Sequence, residues 1–330
     1  MRPTLIAECC QNHNGRRDVL QSMIQQAAEN GADYVKIQAI RSREVAFRER
    51  FEEGVTDADG TKRVIKRPYA PERERLSKLD LSIEDEQWFV TECLKYGVKP
   101  MTTVFTRSAA REVKDLGYEA VKIASYDCRS YPLLRDVKQW WSTIVVSTGA
   151  TYNEEIEQAA EILKGVDDLT FLHCVTLYPT PMNELHFRRM GYLRRFSAKV
   201  GFSDHSAVTP GDKMWATKIS LALGATCVER HYTILPAGET RDGPVSITPS
   251  MLAELRAFAD RPRPEMMEIV RREYPEWEKA LGQAQRTLSP AELLNRDYYS
   301  GRFATHLPNS RVVYNWEDVA FDRIAAESGK

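Results

Sequence analysis

Eight times in residues 1–260, a short apolar run rich in β-branched residues is followed by a longer segment of helical period. Few folds accommodate that alternation. The strand-like runs are Leu5–Glu8, Tyr34–Gln38, Lys99–Val104, Ala120–Ala124, Thr143–Ser147, Leu169–Cys174, Lys199–Phe202 and Thr226–His231. Their mostly apolar character is that of strands buried on both faces. Between them lie amphipathic segments. In residues 19–33 Gly31 is the helix stop; in 152–167 Asn153 is the expected cap and Gly165 the stop. Helical turns are also expected in 84–96, 107–116, 211–223 and 249–259. Eight strand–helix units in about 250 residues give a (β/α)8 TIM barrel, an α/β fold. The alternative is an open doubly wound sheet, which would place a Gly-rich phosphate turn after the first strand. The turn here, ECCQNHNG, has one glycine, Gly15.

The expected organisation is a catalytic barrel over 1–260 and a C-terminal extension over 261–330. The extension opens on RPRPE, carries one helical pattern (Glu265–Leu281) and ends in a Tyr/Arg/Asn-rich stretch. Residues 41–80 form a long charged insertion after the second strand, with Arg41, Arg43, Arg48, Arg50, Arg67 and Arg75 among its basic residues. Such a loop at the catalytic end of a barrel is a candidate lid or anion funnel; the alternative is a solvated surface excursion.

Charge excludes one class of function. The 330 residues hold 46 Lys plus Arg against 47 Asp plus Glu, a formal charge of −1, so phosphate neutralisation along a nucleic acid has little support. No apolar run approaches the roughly 20 residues of a membrane helix, and the N-terminus has no signal-peptide pattern. The six cysteines include no CxxC pair, and adjacent Cys9 and Cys10 would bridge only with strain. Reduced cysteines in a cytoplasmic protein are expected.

Chemistry in a barrel collects where strands end. In chain order those ends carry Glu8, Gln11, Asn12 and His13; Lys36 and Gln38; Thr102 and Thr103; Lys122, Ser125 and Asp127; Ser147 and Thr148; His173, Thr176 and Tyr178; Ser203, Asp204 and His205; and Glu229, Arg230 and His231, with Asp242 shortly after. Two lysines with several hydroxyls suit a compact dianion such as a phosphate ester. Each lysine could instead pair with a carboxylate inside the barrel. His205 and His231 end neighbouring strands and could share one divalent ion, with Asp204 and Glu8 as the acids nearby. His173 lies within its strand and is expected in the core.

The same residues carry a resemblance. IAECCQNHNG, GADYVKIQA, KIASYD, VVSTGAT, LHCVTLYPTP, VGFSDHS, ALGATCVERHYT and DGPVSITP run in order from about residue 4 to 258. Over them the sequence resembles the sialic acid synthases, phosphoenolpyruvate-dependent condensing enzymes that make nine-carbon 2-keto sugar acids. The resemblance implies a (β/α)8 barrel and a homodimer. It also implies a divalent metal on His205 and His231, Mn2+ first, with Mg2+ or Co2+ as alternatives. It assigns phosphoenolpyruvate to Lys36, Thr103, Lys122, Ser125, Ser147 and Ser203, and the aldose to Asp127, Tyr178 and Asp242. Glu8 and Asp127 are the candidates for proton transfer. Asp127 stands where Glu is usual, and Tyr126 replaces a common Gly, which should narrow the sugar pocket. Residues 261–330 do not resemble the antifreeze-like cap domain of the family, so the tail or the 41–80 insertion must close the site, or the acceptor differs. Two competing functions are a metal-dependent aldolase or isomerase acting on a phosphorylated sugar, and a non-catalytic sugar-phosphate-binding barrel. Release of phosphate separates the condensation from both.

Overall fold

The computed structural model describes residues 2–209, 211, 213–308 and 310–320. Eight parallel strands close into a barrel in sequence order: β1 (Thr4–Cys10), β2 (Tyr34–Ala39), β3 (Lys99–Val104), β4 (Ala120–Ile123), β5 (Thr143–Ser147), β6 (Asp168–Cys174), β7 (Lys199–Asp204) and β8 (Cys227–His231). Closure comes from β8 on β1, in the register Thr4↔Cys227 to Glu8↔His231. The expected TIM barrel is therefore the fold, and the eight strands fall where the apolar runs lie, to within two residues at either end.

Residues alternate inside and outside along each strand. Ile6, Met101, Ala120, Val145, Leu172 and Cys227 form a small apolar cluster inside the barrel. Two residues further along the same strands stand Glu8, Thr103, Lys122, Ser147, Cys174 and Glu229, all lining one cavity. Lys36 and Ser203 join that layer from β2 and β7. Gly201 keeps the lower layer open at β7, since a Cβ there would stand 2.0 Å from the Cys227 carbonyl oxygen. The period of two thus places an apolar plug beneath a polar floor. The intervening residues point outward into the main core with the helices, among them Val35, Ile37, Val121, Ile123, Val146, Phe171, Val200 and Phe202. His173 belongs to that outer layer, buried, its ring stacked on Phe202 at 5.9 Å.

Helix boundaries need small corrections. The helix expected to be capped by Asn153 spans Asn153–Leu163, and the capping position is Tyr152, whose N–H donates to Glu155 at 2.9 Å. Residues 211–223 give a shorter helix, Trp215–Ala222. The tail pattern Glu265–Leu281 is broken: a helix Arg263–Glu273 is followed by a 3-10 turn, Pro275–Ala280, because Pro275 cannot continue the α-helical hydrogen bonding.

The insertion folds as a two-stranded ribbon (Val55–Thr56 with Lys62–Val64) and a helix, Tyr69–Ser77. In the tail, Ser289 caps a helix Pro290–Tyr299 through the Glu292 N–H, and Glu292 reaches back to the Ser289 N–H. The two segments are strapped together across the barrel mouth. Ala46 N–H donates to Arg302 O and Ala304 N–H to Glu44 O, both at 2.9 Å; the Phe51 ring meets Tyr298 edge-on at 5.2 Å. Residues 321–330 of the extension lie outside the described residues.

Candidate active site

The polar floor opens into a cavity of about 420 Å3 at the C-terminal end of the barrel. A larger groove, about 540 Å3, lies at the opposite end between the starts of β6 and β7 and holds none of the residues singled out above. Of those residues, Glu8, Lys36, Thr103, Lys122, Ser125, Ser147, Tyr178, Ser203, His205, His231 and Asp242 all line the 420 Å3 cavity.

Asp127 is the exception. It follows Ser125 in a 3-10 turn, and its Oδ1 accepts from Ser130 Oγ at 2.8 Å and from Asn315 Nδ2 at 2.9 Å. Burial raises its carboxyl to about 6, against those two hydrogen bonds. Its side chain is committed to holding the tail, not to the cavity. Asp204 is also placed elsewhere. It lies on the outward face of β7, paired with Arg230 at 2.7 Å and accepting from the Ser206 N–H at 2.8 Å. The acid beside the histidines is Asp242.

One side of the floor is cationic and hydroxylic. Lys36 pairs with Glu8 and donates to Thr103 Oγ1 at 2.7 Å. Lys122 pairs with Glu229, which also accepts from Ser203 Oγ at 3.2 Å. Both lysines therefore meet barrel carboxylates, and both still face the cavity. Burial pulls the Lys36 ammonium down to about 7, with the Glu229 carboxylate acting the other way. Burial pushes the Glu229 carboxyl up, but Lys122 and Lys36 outweigh it and hold it near 2. Ser147 Oγ is buried without a hydrogen-bond partner. Gly149 N–H donates to Ser125 Oγ at 3.0 Å, and a Cβ at Gly149 would stand 2.6 Å from Thr176 Cγ2. Only glycine allows that close approach.

The histidines stand two residues beyond Ser203 and Glu229 on β7 and β8, ring centroids 5.5 Å apart. His205 Nδ1 lies 3.0 Å from the Val175 carbonyl, which can only accept, so Nδ1 carries the proton. Its Nε2 lone pair accepts from the Tyr178 hydroxyl at 3.0 Å, and the two rings stack at 4.1 Å. Burial, helped by His231, pushes His205 down to about 3. Burial lowers His231 too, against the pull of Asp242. Both rings are neutral at pH 7, the state in which imidazole binds a metal. His231 Nδ1 has no hydrogen-bond partner and lies 3.9 Å from Asp242 Oδ2. Among the described residues Cys10, His231 and Asp242 form a possible metal site. An unpartnered ring nitrogen beside a carboxylate, and a second ring with its lone pair turned inward, fit a divalent cation.

The lid supplies residues that strand-end reading missed. Arg67, Arg75 and Arg302 line the cavity with Asn295, Tyr299 and Arg241. Tyr299 stacks on Tyr126 at 4.9 Å, so the ring that replaces glycine forms a wall with the tail. Asn295 Nδ2 donates to Thr176 O at 2.7 Å. Asn295 and Tyr299 share a helix face by their spacing of four, a signal present in the sequence once the Ser289–Glu292 capping box is noticed. Glu229 was among the strand-end residues but without a role; it lies two residues before His231 on the same inward face and pairs with Lys122.

A closed barrel that gathers lysines, serines and two histidines at the C-terminal ends of its strands carries its polar groups where (β/α)8 barrels carry their active sites. The chain belongs to the NeuB family, which matches residues 23–263. It is similar to N,N'-diacetyllegionaminic acid synthase of Campylobacter jejuni, 30% identical over 263 residues that span 77% of this chain and 75% of the relative. Pseudaminic acid synthase of Campylobacter jejuni is 25% identical over 322 residues, 96% of this chain and 85% of the relative. Among solved structures, the N-acetylneuraminic acid synthetase of Leptospira borgpetersenii in complex with citrate shares the fold, with a TM-score of 0.66 and 24% identity over 90% of this chain and 91% of that one. No helix among the described residues is long and apolar enough to cross a membrane.

Proposed function

We propose that the protein condenses phosphoenolpyruvate with an aldose to give a 2-keto sugar acid and phosphate. The observation that carries this reading is the convergence of Lys36, Lys122, Ser125, Ser147 and Ser203 on one cavity together with His205, His231 and Asp242. Lys36 and Lys122 take the carboxylate and phosphate of phosphoenolpyruvate, with the unpartnered Ser147 hydroxyl completing the cradle. His205, His231 and Asp242 would hold a divalent metal, Mn2+ being the family expectation, and it would supply Lewis acidity toward the aldehyde oxygen. The enol carbon attacks the aldehyde carbon and a carbon–carbon bond forms. The attacking atom is the methylene carbon, and the new alkoxide takes up a proton. Water then adds to the neighbouring phosphate-bearing carbon, now an oxocarbenium, and the tetrahedral intermediate loses a proton and expels phosphate, leaving the keto group. Glu8 is favoured over Asp127 for proton transfer. Its Oε1 accepts from the Cys10 N–H at 2.6 Å and its carboxylate lines the cavity, whereas Asp127 is tied to Asn315. Arg302 and Tyr299, from the chain's own tail, line the same cavity and are placed to meet the acceptor.

The test is phosphate release from phosphoenolpyruvate across a panel of aldoses, with and without Mn2+, read with the product mass. Release that depends on one aldose, with the mass of the adduct less phosphate, is expected. Binding of phosphoenolpyruvate with no release for any aldose, N-acylated and phosphorylated ones included, would remove the condensation.

A further inference from the structure

Two histidines are what the strand ends predict for a metal, yet a third kind of donor stands beside them. Cys10 Sγ, a ring nitrogen of His231 and a carboxylate oxygen of Asp242 all lie within 4.8 Å of one another. We propose that Cys10 is a ligand of this site, binding as a thiolate with His231 and Asp242, and that it turns the site away from Mn2+ and Mg2+ toward Zn2+, Co2+ or Fe2+. The inference rests on the reading that the cavity holds a divalent metal, and it goes beyond that reading in naming a sulfur donor and the metals it selects.

Three observations converge. The thiol lines the cavity from the last residue of β1, where the ladder to β2 shifts register between Glu8 and Cys10. The Cys10 backbone is left-handed, with φ +49°, a conformation that favours glycine over any residue with a Cβ. The thiol is thus presented to the cavity against local backbone preference. Second, the His231 side chain is only 9% exposed, and its Nδ1 has no hydrogen-bond partner, so a buried lone pair or N–H is left open toward Asp242. Such a group carries a desolvation cost that a cation would offset. Third, Cys10 Sγ donates to Asp242 Oδ2 at 2.9 Å. Metal binding exchanges that proton for the cation: the S–H bond breaks, the proton passes to solvent, and sulfur and carboxylate become neighbouring donors.

The donor set decides the metal. Mn2+ is the weakest-bound of the divalent first-row ions at any such site and is best served by hard oxygen donors, and a soft thiolate widens its disadvantage against Zn2+, Fe2+ and Co2+. His205 stands outside this three-residue group: its Nδ1 is fixed by the Val175 carbonyl and its Nε2 accepts from the Tyr178 hydroxyl, so it would join the ion only with that hydroxyl moved aside.

The experiment uses the full chain, kept reduced, stripped with chelator and titrated with Co2+ while its near-ultraviolet and visible absorption is followed. The native protein is expected to show a thiolate-to-cobalt charge-transfer band that is absent in Cys10→Gly and Cys10→Ser. Glycine suits the φ of this position, so Cys10→Gly should keep the fold, which thermal unfolding checks. Affinity for Zn2+ should fall by roughly 100-fold in Cys10→Gly, at least the loss seen when an outer partner of a metal ligand is removed. Affinity for Mn2+ should change little. Cobalt binding with ligand-field bands but no charge-transfer band, or equal Zn2+ affinity in the native and Cys10→Gly proteins, overturns the sulfur ligand and leaves the metal reading standing. Failure of the native protein to bind Co2+ or Zn2+ at all overturns both.

Discussion

The floor of the cavity and the lid above it use the same charged residues under different physics. On the floor, Lys122 and Glu229 are almost without solvent, as are Lys36 and Glu8. In the lid, Arg50 pairs with Asp297 while 56% and 33% of their side chains stay exposed. Floor charges are held by strands whose register fixes them; lid charges are held by one another, across more than two hundred residues of chain. A buried ion must be matched where it stands, because its desolvation is only offset by a partner in place. An exposed one is solvated with or without its partner. The floor therefore keeps a fixed charge pattern, whereas the Arg50–Asp297 pair contributes little to holding the insertion on the tail.

The strongest way to break that contrast is to delete one floor charge. Lys122→Ala leaves the Glu229 carboxylate inside the barrel with only Lys36 nearby. Loss of a buried partner costs about 3–5 kcal/mol, read as a lower denaturant midpoint. Lys122→Met combined with Glu229→Leu should recover most of that loss, since it removes the stranded charge. A cost under about 1 kcal/mol for Lys122→Ala would put floor and lid in one class.

Legibility in the sequence divides along the same line. The strands could be read because burial on both faces makes each an apolar run, and the period of two then places Lys36, Lys122, Ser147 and Ser203 on one inner layer. His205 and His231 followed from adjacent strand ends. Asp127 was misplaced because a 3-10 turn after β4 breaks that period, and only the long-range bond from Asn315 shows where the side chain goes. The lid was not legible for a related reason. Arg302 meets Glu72, and Tyr299 meets Tyr126, through pairings no local pattern encodes. Cys10 was read for its redox state alone; its left-handed backbone and its approach to Asp242 are facts of packing.

A second, smaller effect sharpens the contrast through pH. Burial pulls Lys36 down to about 7, far below an exposed lysine. Below pH 7 the ammonium is present and binds an anion; as pH rises through 7 the proton is lost and the attraction with it. Phosphoenolpyruvate affinity should fall by up to about tenfold per pH unit above 7, a limit of about 1.4 kcal/mol per unit. The folding term has the opposite sign. An unfolded lysine holds its proton more tightly, so the Lys36 penalty is fully present below pH 7 and is relieved as pH rises toward the unfolded value. Affinity that stays flat from pH 6 to 9 would mean that Glu8 keeps the proton on Lys36 and that the floor carries its charge at all working pH.

The smallest expected effect lies in the lid. Arg50 joins the insertion to the tail through Asp297 at 2.8 Å, and its guanidinium also lies over the Phe51 ring at 5.2 Å. The ion pair is open to water and the guanidinium lies at the edge of its reach to Phe51, so Arg50→Ala should cost no more than about 1 kcal/mol of stability, measured by the same denaturant titration. Added salt should shrink even that difference, because exposed pairs are screened. A loss of 3 kcal/mol, as expected on the floor, would mean the lid is as rigidly matched as the barrel beneath it. Substrate would then need some route other than parting of the insertion from the tail. A small loss with faster substrate entry and exit in stopped-flow binding would show the pair acting as a latch: weak enough to open, and placed where opening uncovers Arg302 and Tyr299 together.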